Sequence, residues 1–396
     1  MLGTRQLFLK HVAQTSDIPP LLDIERGEGI YLFDTDGNKL IDLISGISVS
    51  SIGHSNPKVV KAVQEQASKH MHVMVYGEFA VGTQARYAEL ICSTLPEKLD
   101  NVYFVSSGAE AAEGALKLAK RYTGRTEIAH MKNSYHGSTM GALSVIGSEY
   151  FRSNYRPLIP GNLELNYGHL PDLEKISCRT AAVIFETIQA ESGITPPSQE
   201  YMNALRAKCD ETGALLILDE IQAGMGRTGK LWAFQHFGIE PDVLLTAKAL
   251  GGGMPLGAFI ANHEKMQVLI ENPYLGHITT FGGHPVSCAA GQAGMEFILE
   301  ENLFDQVSRK NELFRELLQH KAIKRFRHFG FLMALEFENF ETNKAIIDAC
   351  AKRGIITDWF LFADNCLRIS PPLIITEEEI KEACGLILKA IEDVVE

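Results

Sequence analysis

The stretch that decides the fold is residues 242–259, DVLLTAKALGGGMPLGAF. It opens with a short apolar run, reaches Lys248, and turns at three consecutive glycines before a second apolar run. An apolar run bounded in this way is typical of a strand that is covered on both faces. Lys248 is therefore predicted to lie on a tight turn with little water around it. Desolvation disfavours the ammonium form and makes the amine nucleophilic, so Lys248 is a candidate catalytic residue.

Similar apolar runs recur upstream of this stretch. Helical patterns such as NALRAKCDETG, residues 203–213, lie between several of them. Strands that alternate with helices favour an α/β domain with a mostly parallel sheet. The predicted strands are residues 102–106, 127–131, 181–186, 214–219, 242–246 and 257–261.

The pattern changes at about residue 290, where long helical segments precede short strands and a capped helix starting at Thr376. Residues 27–43, GEGIYLFDTDGNKLIDL, predict two strands joined at Asp36-Gly37. A chain of 396 residues exceeds the usual size of one core. We therefore expect an N-terminal segment (1–50) that packs with a small α+β domain (291–396), and a large domain (51–290) between them in the chain.

Composition excludes several classes of protein. The net charge of −12 argues against a nucleic-acid or anionic-membrane partner, and no apolar run approaches the roughly 20 residues of a membrane span. The seven cysteines are scattered, without a C-x-x-C pair, so neither a metal site nor a disulfide framework is expected. The first residues carry no signal-peptide pattern and predict a short amphipathic helix. Together these features favour a cytoplasmic protein with reduced thiols.

The carboxyl ends of the predicted strands carry the candidate chemistry, because ligands of open parallel sheets bind there. Ser107, Gly108 and Ala109 lead from the first of these strands into a helix, where small residues let backbone amides approach a phosphate. A plain N-capped helix would have the same pattern. Tyr135, beside His136 on a turn, provides an aromatic ring that can stack on a flat cofactor.

Asp219 ends the strand LLILD, 29 residues before Lys248. A carboxylate in that place can pair with a protonated ring nitrogen and make the ring an electron sink. A structural aspartate is the alternative. Thr279 and Thr280 precede a Phe-Gly-Gly turn, where their hydroxyls can add phosphate contacts or form an ordinary turn.

In this order and spacing, the motifs resemble those of the class III (ω-amino) aminotransferases of pyridoxal-5′-phosphate (PLP) fold type I, over nearly the whole chain. The resemblance implies a large domain with a mostly parallel sheet, a smaller α+β domain, PLP as cofactor, and a homodimer with shared active sites. It implies that Lys248 holds PLP covalently, that Asp219 pairs with its ring nitrogen, and that Tyr135 stacks on the ring. Further cofactor contacts are implied for Ser107, Gly108, Ala109, His136, Gln222 and, from the neighbouring subunit, Thr280.

The resemblance also bears on the substrates. It places Arg368 where relatives bind the α-carboxylate of glutamate or 2-oxoglutarate, and Glu191 where a glutamate pairs with that arginine for the other substrate. Ser138 stands where the ornithine, acetylornithine and 4-aminobutyrate enzymes carry an arginine for the donor's distal carboxylate. Ile47 replaces a tyrosine of the ornithine enzymes. We therefore expect a primary ω-amine donor and 2-oxoglutarate as acceptor.

Other functions remain open from the sequence. An acetylornithine or ornithine aminotransferase, and a PLP racemase, aminomutase or decarboxylase, would share Lys248 and Asp219. Residues 224–230, GMGRTGK, satisfy both G-x-G-x-x-G and G-x-x-x-x-G-K, so a nucleotide-binding oxidoreductase or an NTPase is a remote alternative. A catalytically silent binding protein is a further alternative, against which the complete set of cofactor residues argues.

Overall fold

The computed structural model describes residues 2–395. Its strands are β1 Ile24–Glu28, β2 Tyr31–Asp34, β3 Lys39–Asp42, β4 Asn101–Val105, β5 Glu127–Met131, β6 Asn162–Leu165, β7 Thr180–Glu186, β8 Leu215–Asp219, β9 Val243–Thr246, β10 Gly257–Ala261, β11 Arg325–Phe329, β12 Leu332–Glu336, β13 Ile355–Ile356, β14 Asp358–Phe360 and β15 Ala363–Ile369.

Its helices are α1 Thr4–His11, α2 Ser45–Ser48, α3 Pro57–Lys69, α4 Gly82–Ser93, α5 Gly108–Thr123, α6 Met140–Ser144, α7 Glu149–Arg152, α8 Gln199–Thr212, α9 His263–Gln267, α10 Pro285–Glu300, α11 Val307–Leu317, α12 Phe340–Lys352 and α13 Glu377–Val395. Short 3₁₀ turns lie at Ser153–Tyr155, Leu170–Lys175, Ala233–His236, Lys248–Gly251 and Leu303–Gln306.

The central sheet has seven strands in the order β4-β10-β9-β8-β7-β5-β6. The strands β9, β8, β7, β5 and β6 run parallel to one another, whereas β10 pairs antiparallel with both β4 and β9. Every residue of β7 and β8 is buried, which explains their unbroken apolar sequences. The six predicted strands and the α/β class are confirmed; β6, a four-residue edge strand, was not predicted.

The parallel register brings three strand ends to one edge of the sheet. Glu186, the last residue of β7, is the register partner of Asp219, the last residue of β8. Asp219 in turn pairs with Leu245, so β9 ends one residue further on and Lys248 follows after Ala247. Residues far apart in sequence therefore meet at the carboxyl edge, where an open sheet binds its ligands.

A second sheet, β11-β12-β15-β14, carries the C-terminal part of the chain. It is antiparallel throughout, and it lies against α12, which in turn packs against α13. The helix predicted from Thr376 is confirmed: Glu379 N donates to Thr376 Oγ1, and Thr376 N donates to Glu379 Oε2. This sheet positions Arg368, which lies on β15.

The N-terminal segment contributes to a third sheet, β1-β2-β3-β13. The hairpin predicted around Asp36-Gly37 is confirmed as β2 and β3. β1 pairs with β2 and forms the edge of this sheet. β3 pairs in parallel with β13 of the C-terminal part. The packing of residues 1–50 with a small domain stays a prediction. The three-part division itself stays a prediction.

α1 forms as predicted, and all its residues are at least partly exposed. Within residues 2–395, no helix has the length and apolarity to cross a membrane.

Candidate active site

A cavity of about 420 Å³ lies at the carboxyl ends of β7, β8 and β9, beside the start of α5. Most of the predicted site residues line it: Ser107, Gly108, Ala109, Tyr135, His136, Ser138, Glu191, Asp219, Gln222 and Lys248. A second cavity of about 790 Å³ shares Tyr135, Glu191 and Lys248 with the first and adds Ile47 and Arg368. The fold thus brings residues that are more than 300 positions apart in the sequence to the walls of two adjoining cavities.

Asp219 is buried at the floor of the first cavity and is held by two contacts. Its Oδ2 lies 2.7 Å from Nδ1 of His136, and its Oδ1 accepts a hydrogen bond of 3.0 Å from the amide of Ile221. The other ring nitrogen of His136, Nε2, is enclosed and has no hydrogen-bond partner among residues 2–395. These contacts fix the direction in which the Asp219 carboxylate faces the cavity.

Glu186 is a second carboxyl group of the cavity wall, and the sequence did not identify it. It accepts hydrogen bonds from the amides of Tyr135 (2.9 Å) and Ala190 (3.1 Å). Burial raises the pKa of Glu186 well above its usual range, and the nearby Asp219 adds to this rise. The sequence signal that could have identified Glu186 is that it ends a buried apolar strand, as Asp219 ends the next one.

Lys248 lies two residues after the end of β9 and opens the 3₁₀ turn Lys248–Gly251. Its backbone is in the left-handed region, with a φ of 51°. Burial lowers the pKa of Lys248 to about 8, against the opposing charge of Glu191. A substantial fraction of the amine is therefore neutral, and nucleophilic, near physiological pH.

The start of α5 fits an anionic group. Ser107 caps the helix by accepting a hydrogen bond of 3.2 Å from Glu110 N, while other first-turn amides have no partner within the helix. A Cβ on Gly108 would lie 2.8 Å from Ile221 Cδ1, and one on Gly137 would lie 2.6 Å from Ala109 Cβ. The small residues therefore let chain segments approach closely beside a helix N-terminus, which attracts phosphate.

These features together fit PLP. The cofactor requires an amine for its aldehyde, an anion for its ring nitrogen, a flat slot, and backbone donors for its phosphate. Lys248, Asp219, Tyr135 and the N-terminus of α5 provide these four features on the wall of one cavity.

Arg368 and Glu191 form a buried ion pair at the junction of the two cavities. Arg368 Nη1 donates to Glu191 Oε1 at 3.0 Å, and Nη2 donates to Oε2 at 2.8 Å. Burial is the largest single influence and would raise the pKa of Glu191, but the charges of Arg368 and Lys248 and the hydrogen bonds from Leu361 and Arg368 together outweigh it and hold the pKa below its usual range. Gln222 Nε2 and the amide of Leu361 also donate to this carboxylate. The pairing suggested by the family resemblance is therefore present in the structure.

Ser138, Ile47 and Thr280 occupy different settings. The exposed Ser138 hydroxyl lies 3.2 Å from the hydroxyl of Tyr135. Ile47 belongs to a left-handed turn, Ser45–Ser48, in which its φ is 64°. Thr280 is exposed and lines neither cavity of its own chain. The structure thus brings Ser138 and Ile47 to the site but leaves Thr280 on the surface.

The glycine-rich segment 224–230 forms a largely buried loop. Gly226 and Gly229 adopt φ angles of 90° and 92°, and the loop leads to the short 3₁₀ turn Ala233–His236. The fully buried Arg227 donates hydrogen bonds to Ser51 Oγ and to the carbonyl of Pro371. Because no α-helix opens after these glycines, the loop lacks the helix N-terminus that holds a nucleotide phosphate.

Comparison with known proteins agrees with this geometry. A sequence profile of the family described as "Aminotransferase class-III" matches residues 12–391. Over 381 residues the chain is 39% identical to an acetylornithine aminotransferase of Clostridium acetobutylicum, with 93% of this chain and 96% of the relative covered. It is also 39% identical to a putrescine aminotransferase of Pectobacterium atrosepticum over 381 residues, with 92% of this chain and 80% of the relative covered.

Solved structures agree as well. A transaminase from the marine bacterium Virgibacillus superposes with a TM-score of 0.92 at 27% identity, covering 98% of each chain. The ornithine aminotransferase of Toxoplasma gondii ME49 superposes with a TM-score of 0.91 at 29% identity, covering 99% of this chain and 96% of the other.

Proposed function

This chain belongs to the class-III aminotransferase family, and from that premise we propose that it transfers an amino group from a primary ω-amine to 2-oxoglutarate. Membership makes it a PLP-dependent aminotransferase. The two relatives named for acetylornithine and putrescine are equally identical to it, so they favour neither donor. The observation that carries the proposal is the pair of adjoining cavities, which have a neutral Ser138 on the wall of the first and the paired Arg368 and Glu191 where the two adjoin.

The chain's own residues have distinct tasks in this reaction. PLP, when bound, supplies an electron sink and carries the amino group between the two substrates. Lys248 would hold it and, as a free amine, take the proton from the substrate carbon that bears the amino group. Asp219, oriented by His136, would keep the ring nitrogen protonated, and the start of α5 would hold the phosphate.

The ion pair between Arg368 and Glu191 accounts for two unlike substrates. While an amine occupies the site, the pair stays closed and neutralises itself. When 2-oxoglutarate enters, its α-carboxylate replaces Glu191 on the guanidinium, which suits a carboxylate with two parallel hydrogen bonds. Gln222 and the amide of Leu361 already donate to Glu191, and such neutral donors can solvate its carboxylate without Arg368.

The choice of donor rests on Ser138. Its hydroxyl provides one neutral donor of short reach, which cannot replace a guanidinium. Among the residues that line the first cavity, Lys248 carries the single cationic side chain, and PLP occupies it. A distal carboxylate there would lose hydration without gaining a counter-charge, whereas an amine with an apolar or cationic end would not.

The proposed homodimer and the proposed cytoplasmic location rest on other features of the chain. Thr280 is exposed and lies beside Phe281, a phenylalanine with 57% of its surface exposed, which supports a homodimer in which Thr280 completes the neighbouring site. The seven cysteines are all free, which supports a reducing, cytoplasmic location. An acetylornithine or ornithine aminotransferase is the second candidate, and the Clostridium relative carries the first of these two names.

A donor panel tests the proposal. The holoenzyme is assayed with 2-oxoglutarate and, in turn, putrescine, cadaverine, ornithine and acetylornithine, with glutamate formation as the readout. We expect kcat/KM to be highest for the diamines. A higher value for acetylornithine or ornithine would replace the proposed donor class by the second candidate. Racemisation of an amino acid without an acceptor would instead indicate a racemase.

A further inference from the structure

Asp358 places a second carboxylate on Arg368, beyond the pair already described. We infer that Asp358 is a specificity residue that binds the distal ammonium group of a diamine donor; this inference deepens the proposed function and rests on it. Asp358 and Arg368 are direct cross-strand partners on β14 and β15. Asp358 lines the larger cavity together with Lys248 and Arg368.

The carboxylate of Asp358 retains unused capacity to accept hydrogen bonds. Its Oδ1 lies 3.1 Å from Nε of Arg368, but the two atoms are not aligned for a hydrogen bond. Both are enclosed, and neither has a hydrogen-bond partner within residues 2–395. Glu191 and the carbonyl of Trp359 take the Nη atoms of the same guanidinium. The Asp358 side chain as a whole is 25% exposed, so a ligand ammonium can approach its carboxylate from the cavity and donate to it.

The charge around this point favours a cation. One guanidinium, that of Arg368, faces the two carboxylates of Glu191 and Asp358. Lys248 is engaged by the cofactor, and Lys344 is paired with Asp348 at 2.6 Å. While Glu191 stays on Arg368, the inner part of the cavity therefore carries one uncompensated negative charge. A diamine brings the missing positive charge.

The space between the two ends suits a methylene chain. The larger cavity reaches from Lys248, where the reacting amine must lie, to Asp358, and its wall includes Ile47, Trp359 and Leu361. Apolar walls between two polar ends match an alkyl diamine, whose methylene groups lose little hydration there. The charges of Lys248 and Asp358 also interact across this space.

The same geometry predicts an opposite effect on the acceptor. When 2-oxoglutarate displaces Glu191, Asp358 remains beside Arg368 and offsets part of its charge. Neutralising Asp358 should therefore weaken the binding of diamines and tighten that of the acceptor. A residue that merely supports the fold would affect both substrates in the same direction.

The test compares Asp358→Asn with Asp364→Asn, a matched substitution at an exposed position of β15 that lines neither cavity. KM is measured on each holoenzyme for cadaverine, for pentylamine as its monoamine analogue, and for 2-oxoglutarate. We expect Asp358→Asn to raise KM about tenfold for cadaverine, equivalent to about 1.4 kcal/mol, to leave KM for pentylamine nearly unchanged, and to lower KM for the acceptor. Asp364→Asn should behave as the parent protein.

Binding is measured separately from turnover. Calorimetry follows cadaverine binding to holoenzyme whose Lys248–cofactor linkage has been reduced with borohydride and which cannot turn over. The parent protein should bind cadaverine more tightly than pentylamine, and Asp358→Asn should lose that difference. Equal loss for both amines, or no loss, would overturn the inference. If the parent transaminates only amino acids, the proposed donor class fails, and the binding difference still decides the role of Asp358.

Discussion

The Glu191 carboxylate and the Arg368 guanidinium, 177 positions apart, lie face to face with two hydrogen bonds of 3.0 and 2.8 Å. Both side chains are buried, at 7% and 4% exposure, so water has little access to either charge when the other leaves. Asp358 offsets part of the charge of Arg368, but only another carboxylate can replace the two hydrogen bonds that Glu191 accepts from the guanidinium. We therefore expect the carboxylate of the acceptor to bind Arg368 only when the ion pair between Arg368 and Glu191 opens.

Replacing Arg368 by lysine keeps the positive charge but removes the planar guanidinium with its two parallel hydrogen-bond donors. We expect the KM for 2-oxoglutarate to rise roughly thirtyfold, about 2 kcal/mol, because a bidentate contact becomes a single one. The KM for the amine donor should change much less. Steady-state kinetics with both substrates varied checks this, with Arg353→Lys at the half-buried pair with Asp393 as control. An equal rise for donor and acceptor would make Arg368 a structural residue.

The pKa of Lys248 predicts how cofactor capture depends on pH. Burial lowers this pKa to about 8, so the neutral amine that attacks PLP accumulates as the pH rises through 8 rather than through 10.5. The rate at which cofactor-free protein captures PLP, followed by absorbance, should rise with that midpoint. Glu191→Gln removes a charge that raises the pKa and should shift the midpoint downward. A midpoint above 10 in the parent would contradict this account.

Thr280 is expected to act in the neighbouring subunit, and a mixing experiment tests this. Thr280→Ala should retain PLP poorly, and Lys248→Ala should be inactive. In a mixed dimer, the Lys248 of one chain meets the Thr280 of the other, which restores one intact site. At limiting PLP, an equal mixture should regain activity from about a quarter of its sites. If Thr280 served its own chain, mixing would restore nothing.

Ser138 is expected to set the donor preference. Ser138→Arg provides a guanidinium for a distal carboxylate, so kcat/KM for acetylornithine should rise at least about tenfold while that for cadaverine falls. Ser138→Gln, of similar length but neutral, is the matched control and should show no gain for acetylornithine. The ratio of the two donors' kcat/KM values is the measurement. An unchanged ratio in Ser138→Arg would place the donor's carboxylate elsewhere.

The sequence predicted most of the sheet because the buried strands have unbroken apolar runs that end at punctuating residues. β7 and β8 show this most clearly, and Lys248 and Asp219 were identified from their positions after such runs. The edge strand β6 was missed because its four residues, NLEL, are too few and too polar for this signal.

Glu186 and Asp358 were missed for a different reason. Each gains its meaning from a strand pairing that the sequence does not reveal. Glu186 lies beside Asp219 because β7 and β8 are adjacent and in register. Asp358 faces Arg368 because β14 and β15 pair, and the irregularity between Trp359 and Phe360 obscures the alternation along this short strand.

The transfer of the amino group itself is the most direct test. The holoenzyme is incubated with ¹⁵N-labelled putrescine and unlabelled 2-oxoglutarate, and the glutamate formed is analysed by mass spectrometry, in parallel with Lys248→Ala. The account predicts ¹⁵N-labelled glutamate from the parent protein and none above background from Lys248→Ala. Absence of label from the parent's glutamate, or labelled glutamate from Lys248→Ala at the parent's rate, would contradict it.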